Sequence, residues 1–440
     1  MKINMTKGSP FKSIFLFSLP IMVGSLLQQF YNIADTFIVA KFVGTDALAA
    51  VGSSYTLMVF ITSIILGLCL GSSVVLSVFF GSQKYEKFKL GLVQSFIFIG
   101  IISILLFIFC FFQSDFILKV LQTPKEIYQM TKDYIQIIFL GILFTFLYNY
   151  FASILRSIGN SLTPLIMLAI ASILNIVLDY YFIVPLQCGV KGAAIATIIA
   201  QAVSGIGLAF YCLFYVEEFK IQRQHLVIHY PLMSRIIKIS SLSCLQQSIM
   251  NFGILMIQGL VNSFGVNVMA AFSAGVKIDS FAYLPVQDFG NAFSTYIAQN
   301  KGANLKSRIT KGLKSSIVSI TIACFMISAF VYFMAKPLIG IFIDPSQTEI
   351  IQIGVNYLHI EGCCYIGIGY LFLLYGLYRG LEMMHMSIIL TVISLGTRVA
   401  LSYLLVSFLG LNIIWWSIPI GWLLADIVGF VYYIYKKPIK

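Results

Sequence analysis

Two carboxylates stand inside otherwise apolar stretches of this chain. Asp35 lies in Tyr31-Asn32-Ile33-Ala34-Asp35, and Asp179 in Asn175-Ile176-Val177-Leu178-Asp179. A carboxylate at the centre of a helix in lipid costs about 2.5–3.5 kcal/mol on insertion scales, so such residues face protein or water and mark function by default. Asn175 and Asp179 are four apart, which sets them on one helix face a turn apart. Asp179 lies roughly 22 Å along its helix at 1.5 Å rise per residue, and Asp35 also comes late in an apolar segment of the same direction. Thr197 falls roughly one and a half turns into the next, returning segment. The four residues thus reach one level. Two carboxylates, an amide oxygen and a hydroxyl make an oxygen-rich site. It suits a sodium ion held directly, or a proton, since burial and a like-charged neighbour both work against a second negative charge. The competing reading is a structural hydrogen-bond network between helices.

Asp279 is a third candidate, with Lys277 two residues before it. Side chains two apart diverge on an α-helix, so a direct pair needs a distortion, which Pro285 is placed to supply. Asp279 either lines a solute path or pairs with Arg398. Asp288, Glu361 and Asp426 are expected nearer interfaces or in contacts between helices. Gln28, Tyr31 and Tyr134 complete the candidate lining of the path. The eight cysteines lie in or beside apolar segments and read as packing residues. His225 and His229 stand four apart in a polar stretch with no further ligand nearby in sequence, so no metal is expected beyond a sodium ion at Asp35, Asn175, Asp179 and Thr197. His359 and His385 have no nucleophile or metal cluster beside them, and an intramembrane enzyme is not expected.

The elements that must position these residues are membrane spans. The chain is 59% hydrophobic and 10% charged, whereas a soluble domain carries about 25% charged residues. Twelve apolar segments, each near the roughly 20 residues that cross a bilayer, cover 14–40, 50–80, 91–112, 133–156, 164–186 and 190–216, then 237–263, 267–299, 313–334, 350–379, 386–409 and 412–435. The expected fold is an all-α membrane protein. The basic N-terminus precedes a first span with no small-residue cleavage site, so that span is read as retained. The formal charge of +12 does not imply nucleic acid. Most Lys and Arg fall in segments that an even number of spans places with both termini in the cytoplasm, which is the positive-inside pattern. Trp415, Trp416 and Trp422 are expected in an aromatic belt.

The spans repeat. Gly44, Ala49, Ala50, Gly81, Gly91, Leu92 and Pro124 recur 221 residues later as Gly265, Ala270, Ala271, Gly302, Gly312, Leu313 and Pro345. Further on, Tyr134, Arg156 and Tyr180 meet Tyr357, Arg379 and Tyr403 at an offset of 223. Six spans per half enter the membrane in one sense, so two six-helix lobes related by a parallel repeat are expected, as in secondary transporters whose solute path lies between repeats. The expected parts are an N-terminal lobe over 1–216, a partly amphipathic cytoplasmic connector over 217–238 and a C-terminal lobe over 239–440.

Several motifs in this order resemble the multidrug and toxic compound extrusion (MATE) family of the flippase-like exporter (MOP) superfamily. They are Pro20 with Gln28, Gln29, Tyr31 and Asp35; Gly67-Leu68-Cys69-Leu70-Gly71-Ser72; Arg156-Ser157-Ile158-Gly159-Asn160 leading to Thr163-Pro164; Asn175 through Tyr180; Gly192-Ala193-Ala194-Ile195-Ala196-Thr197; and Ala270-Ala271 followed by Lys277-Ile278-Asp279 through Pro285. The resemblance implies a twelve-helix, two-lobed antiporter. It would export lipophilic organic cations against a proton or sodium gradient, with no cofactor, as a monomer in the plasma membrane. By position, Asp35, Asn175, Asp179 and Thr197 match the family's first-lobe cation site, with Tyr134 a further member. Some relatives carry an acid in span seven, where this chain reads Cys244-Leu245-Gln246-Gln247-Ser248, which favours coupling through the first lobe. The rival is a flippase of the same superfamily moving lipid-linked oligosaccharides, whose phosphates call for basic residues in the path; Lys277 and Arg398 are the candidates.

Overall fold

The computed structural model describes residues 2–120 and 123–439. Apolar runs fold into long helices: α1 (Pro10–Phe42), which continues through Pro20, α2 (Thr45–Gly81), α3 (Tyr85–Phe112), the short α4 (Ser114–Val120), α5 (Lys125–Leu140), α6 (Ile142–Ser157), α7 (Leu162–Ile183) and α8 (Gly189–Tyr215). After the connector come α9 (Tyr230–Asn262), α10 (Val266–Gly302), α11 (Lys306–Ile339), α12 (Thr348–Gly362), α13 (Tyr365–Gly380), α14 (Met384–Leu409) and α15 (Asn412–Lys436). Apart from the short α4, the halves correspond helix by helix. α1 and α9 have 33 residues each and α2 and α10 have 37 each. Gly44 and Gly265, paired by the repeat, turn the chain into α2 and α10 at φ of 121° and 92°, a region that side chains with a Cβ avoid.

Among the described residues nine helices are long and apolar enough to cross a membrane. Two more spans are bent pairs, α5 with α6 at 43° and α12 with α13 at 50°. The apolar pattern runs straight through both breaks, so each was expected as one straight span. The first break falls at Gly141, where the helix gives way to a close approach: a Cβ there would stand 2.6 Å from Oε1 of Gln201. The second follows Gly362, at Cys363 and Cys364. α10 completes twelve; Lys277, Asp279 and Asp288 make it more polar than its neighbours. The chain is thus an all-α membrane fold of twelve spans in two six-helix lobes.

Two compact units emerge, one of residues 1–3 and 23–244 and the other of 4–22 and 245–440. These differ from the expected partition, because the boundaries fall inside α1 and α9. In the second unit the guanidinium of Arg308 donates to the carbonyls of Met5, Lys7 and Gly8 at 2.7–3.1 Å, and Asn300 Nδ2 donates to Met5 O at 3.0 Å. The stretch before α9 belongs to the first unit. There the backbone N–H of Gln222 donates to Nδ1 of His225 at 2.9 Å, and Nε2 lies 2.7 Å from Glu86 Oε2. A neutral imidazole with its proton on Nε2 satisfies both contacts, so His225 ties the connector to α3. The connector is shorter than expected, since α9 begins at Tyr230. Trp415 is not a belt residue: it is fully buried and stacks on Phe272 at 5.4 Å, while Trp416 is exposed.

Small residues let helices meet at backbone distance, the packing mode of membrane interiors. A Cβ on Gly67 would fall 2.6 Å from Cα of Cys244, and one on Gly71 would fall 2.4 Å from Cα of Ser240, both on the first part of α9. Gly71→Val is therefore expected to lower the thermal unfolding midpoint of the purified protein, with a cost of roughly 1–3 kcal/mol or more from forced separation. Gly52→Ala, where nothing stands within 4 Å, should leave it unchanged. Equal midpoints for the two variants would refute the close contact.

Candidate functional site

In the first unit the sequence-predicted acids come together. α1 carries Asp35 and α7 carries Asp179, and the two carboxyls are electrostatic neighbours. Asp179 is fully buried and Asn175, one turn before it, is 2% exposed. Asn175 Nδ2 points to Oγ1 of Thr197 on α8 at 3.5 Å, and that hydroxyl donates to Ala193 O at 3.0 Å. Tyr134 of α5 is buried beside both acids. Tyr31 lies next to Asp35 with Gln28 as its hydrogen-bonding partner, and Tyr55 and Tyr148 stand close. Hydrogen-bond donors are few. Asp35 Oδ1, Asn175 Oδ1 and both oxygens of Asp179 are buried without a partner among the described residues. A cluster of carboxylate and amide oxygens with this shortage of donors attracts a proton or a hard cation.

The second unit answers the same positions differently. Asp279 of α10 is buried and accepts hydrogen bonds from the hydroxyls of Tyr357 and Tyr365. Those tyrosines flank the bend between α12 and α13. Glu361 lies beside Asp279 and Tyr357, and Arg398 of α14 is the neighbouring positive charge. Asp279 therefore sits with Arg398 rather than Lys277. Lys277 leaves the opposite side of α10, is exposed, and lies 5.5 Å above the Phe342 ring. The divergence of residues two apart on a regular helix decides this, because α10 runs unbroken through Pro285. Lys277 and Asp279 thus do not join the cluster of Asp35 and Asp179.

The sequence model of MatE matches residues 20–181 and 243–404, two stretches that begin and end 223 residues apart. The chain belongs to the MatE family. It is 31% identical over 99% of its length to a probable multidrug resistance protein, YpnP, of Bacillus subtilis, covering 97% of that protein. It is 26% identical to the multidrug export protein MepA of Staphylococcus aureus, over 83% of this chain and 81% of that one. An outward-facing multidrug resistance MATE transporter of the MOP superfamily superposes with a TM-score of 0.94 at 24% identity, covering 100% of this chain and 98% of that chain. A MOP-superfamily transporter from Pyrococcus furiosus, described by a binding pocket of reverse polarity, superposes at 0.93 with 24% identity, over 99% of this chain and 97% of that one. This MatE protein is a membrane transporter by family, not an enzyme.

The repeat locates what residue-by-residue reading of this MatE protein passed over. At an offset of 223, Tyr134 pairs with Tyr357, Asn175 with Arg398, and Asp179 with Ser402. Following those pairs would have brought Arg398 and Tyr357 to one place; Glu361, expected near an interface or in a contact between helices, makes the latter, beside Asp279 of α10. Among the described residues no group of three His, Cys, Asp or Glu side chains is arranged to hold a metal. Removing one partner of a buried charge cluster leaves the others uncompensated, at about 3–5 kcal/mol. Arg398→Met is thus expected to lower the unfolding midpoint sharply, while Lys277→Met, losing an exposed contact of about 0.5–1 kcal/mol, should shift it little. A reversed order in a thermal unfolding series would overturn this assignment.

Proposed function

We propose that this MatE protein exports lipophilic organic cations across the plasma membrane, with both termini cytoplasmic, by exchange for a proton or sodium ion held at Asp35, Asn175, Asp179 and Thr197. The observation that supports this reading is the pairing of two carboxyls in a buried site whose oxygens lack donors. Two neighbouring carboxylates do not both stay charged in such surroundings without a cation between them. A proton or sodium ion arriving from one side fills that need and stabilises the unit that carries it. Its loss on the other side restores the repulsion. Each state of the pair thereby favours a different conformation, as coupling demands. Tyr31, Tyr134 and Gln28, arranged around the acids, are suited to lining the adjoining solute path, since aromatic faces attract organic cations. The oxygen-only donor set is compatible with either ion. The family and its relatives named for multidrug export support the substrate class.

The test is export of a fluorescent lipophilic cation at matched expression. Asp35→Asn and Asp179→Asn each keep the shape and remove the exchangeable charge. Both are expected to reduce export to the level of cells lacking the protein while membrane insertion persists. In proteoliposomes, an imposed pH gradient or an imposed sodium gradient should drive wild-type exchange and fail to drive either variant; which gradient works names the ion. Full export by both variants would remove the ion carriers from the proposal.

A further inference from the structure

One charged group in the second unit belongs to neither acid cluster. Arg379, in the last turn of α13, is 5% exposed. Its Nη1 donates to Oδ1 of Asn291 at 2.7 Å, and Nη2 reaches Oε1 of Gln246 only at 3.4 Å. Nε is buried with no partner among the described residues. Among the ion pairs of the described residues, none joins a carboxylate to it. A guanidinium stays charged in proteins, so this is a buried cation satisfied by amides alone. Nε and Nη2 form the edge of the fork that ordinarily grips a carboxylate or phosphate through two parallel hydrogen bonds, and here that edge is the less satisfied one.

The surroundings match. Arg379 lines a recess with Gln247, Gln287, Asn291 and Tyr375, about 280 Å³ counting the space open at its mouth. In this conformation its interior admits about one water-sized group, the size of a single oxyanion oxygen. Gln246 and Gln247 recur in the first half as Gln28 and Gln29, but the rest of the lining is particular to the second half. Where α10 has Gln287 and Asn291, the repeat places Leu66 and Leu70 in α2, and where α13 has Tyr375 it places Ala152 in α6. The arginine is duplicated as Arg156, but these polar neighbours are not. Three polar side chains in place of three apolar ones, around a buried guanidinium without a counter-charge, is costly unless a ligand uses them.

We infer that Arg379, with Gln246, Gln247, Gln287 and Asn291, forms an oxyanion-binding subsite in the second unit that takes a carboxylate or phosphate group of a ligand. The site lies apart from the Asp35–Asp179 pair and is tested by binding alone, so its failure and the failure of the cation-export reading are separable.

The experiment uses the full chain, purified in non-ionic detergent in chloride-free buffer and titrated calorimetrically with benzoate and with glycerol phosphate. Saturable binding of at least one probe is expected. Arg379→Gln should weaken it at least tenfold. Gln287→Leu and Asn291→Leu, which install the first-half residue types and keep the arginine, should weaken it severalfold; they serve as the readout should Arg379→Gln fail to fold. Repeating the titration in nanodiscs distinguishes sources. Competition by phosphatidylglycerol but not phosphatidylcholine assigns the site to a lipid headgroup, and an unchanged affinity assigns it to a soluble oxyanion. Absence of saturable binding for both probes, or an affinity unaltered in Arg379→Gln and both leucine variants, would overturn the inference.

Discussion

Everything polar in this molecule answers to one constraint: a bilayer interior supplies neither hydrogen bonds nor counter-charges, so each buried polar group must find its partner within the protein. The two units meet that demand from the same repeated scaffold with different side chains. The first sets Asp35 against Asp179 and leaves carboxyl oxygens without donors. The second surrounds Asp279 with two tyrosine hydroxyls and the charge of Arg398. Where the first half has Asp179, the second has Ser402, which bonds to Ser417 at 2.9 Å. The first copy keeps its carboxyl oxygens without donors; the second has a positive charge from its own chain beside its acids.

Helix shape follows from the same demand. Tyr134 and Tyr357 reach their acids from α5 and α12, the leading limbs of the two bent spans. A bend within an apolar span brings a hydroxyl inward without exposing a frayed helix end, since α6 and α13 resume hydrogen bonding within a few residues. Backbone-distance contacts at Gly67 and Gly71 leave no room for side chains at those points between α2 and α9.

Much of this was legible in the sequence, for physical reasons that also mark where reading fails. Apolar runs long enough to cross a bilayer declare helices, and the offsets near 221 and 223 declare the duplication. Asp35, Asn175, Asp179 and Thr197 could be placed at one level because helix rise converts residue number to depth. The bends at Gly141 and after Gly362 were hidden because hydrophobicity continues through them. Trp415 looked like an interfacial residue by position, yet Phe272 and Tyr357 enclose it, a tertiary contact that composition does not encode. Arg379 was passed over for a similar reason: it sits near a helix end, where a charge ordinarily reaches water, and only the packing around it shows that it does not.

Residues 4–22 are packed into the unit built mainly from the second half, while α9 contributes its first part, through Cys244, to the unit built mainly from the first. Neither half of the chain therefore holds a complete core of its own. A polypeptide corresponding to one half would lack a helical segment that its unit takes from the other half, the kind of incompleteness that reciprocal exchange repairs in a domain-swapped dimer. The fused chain is thus the covalent form of a mutual loan: a cut placed in the loop between the halves would fall at the boundary of neither unit.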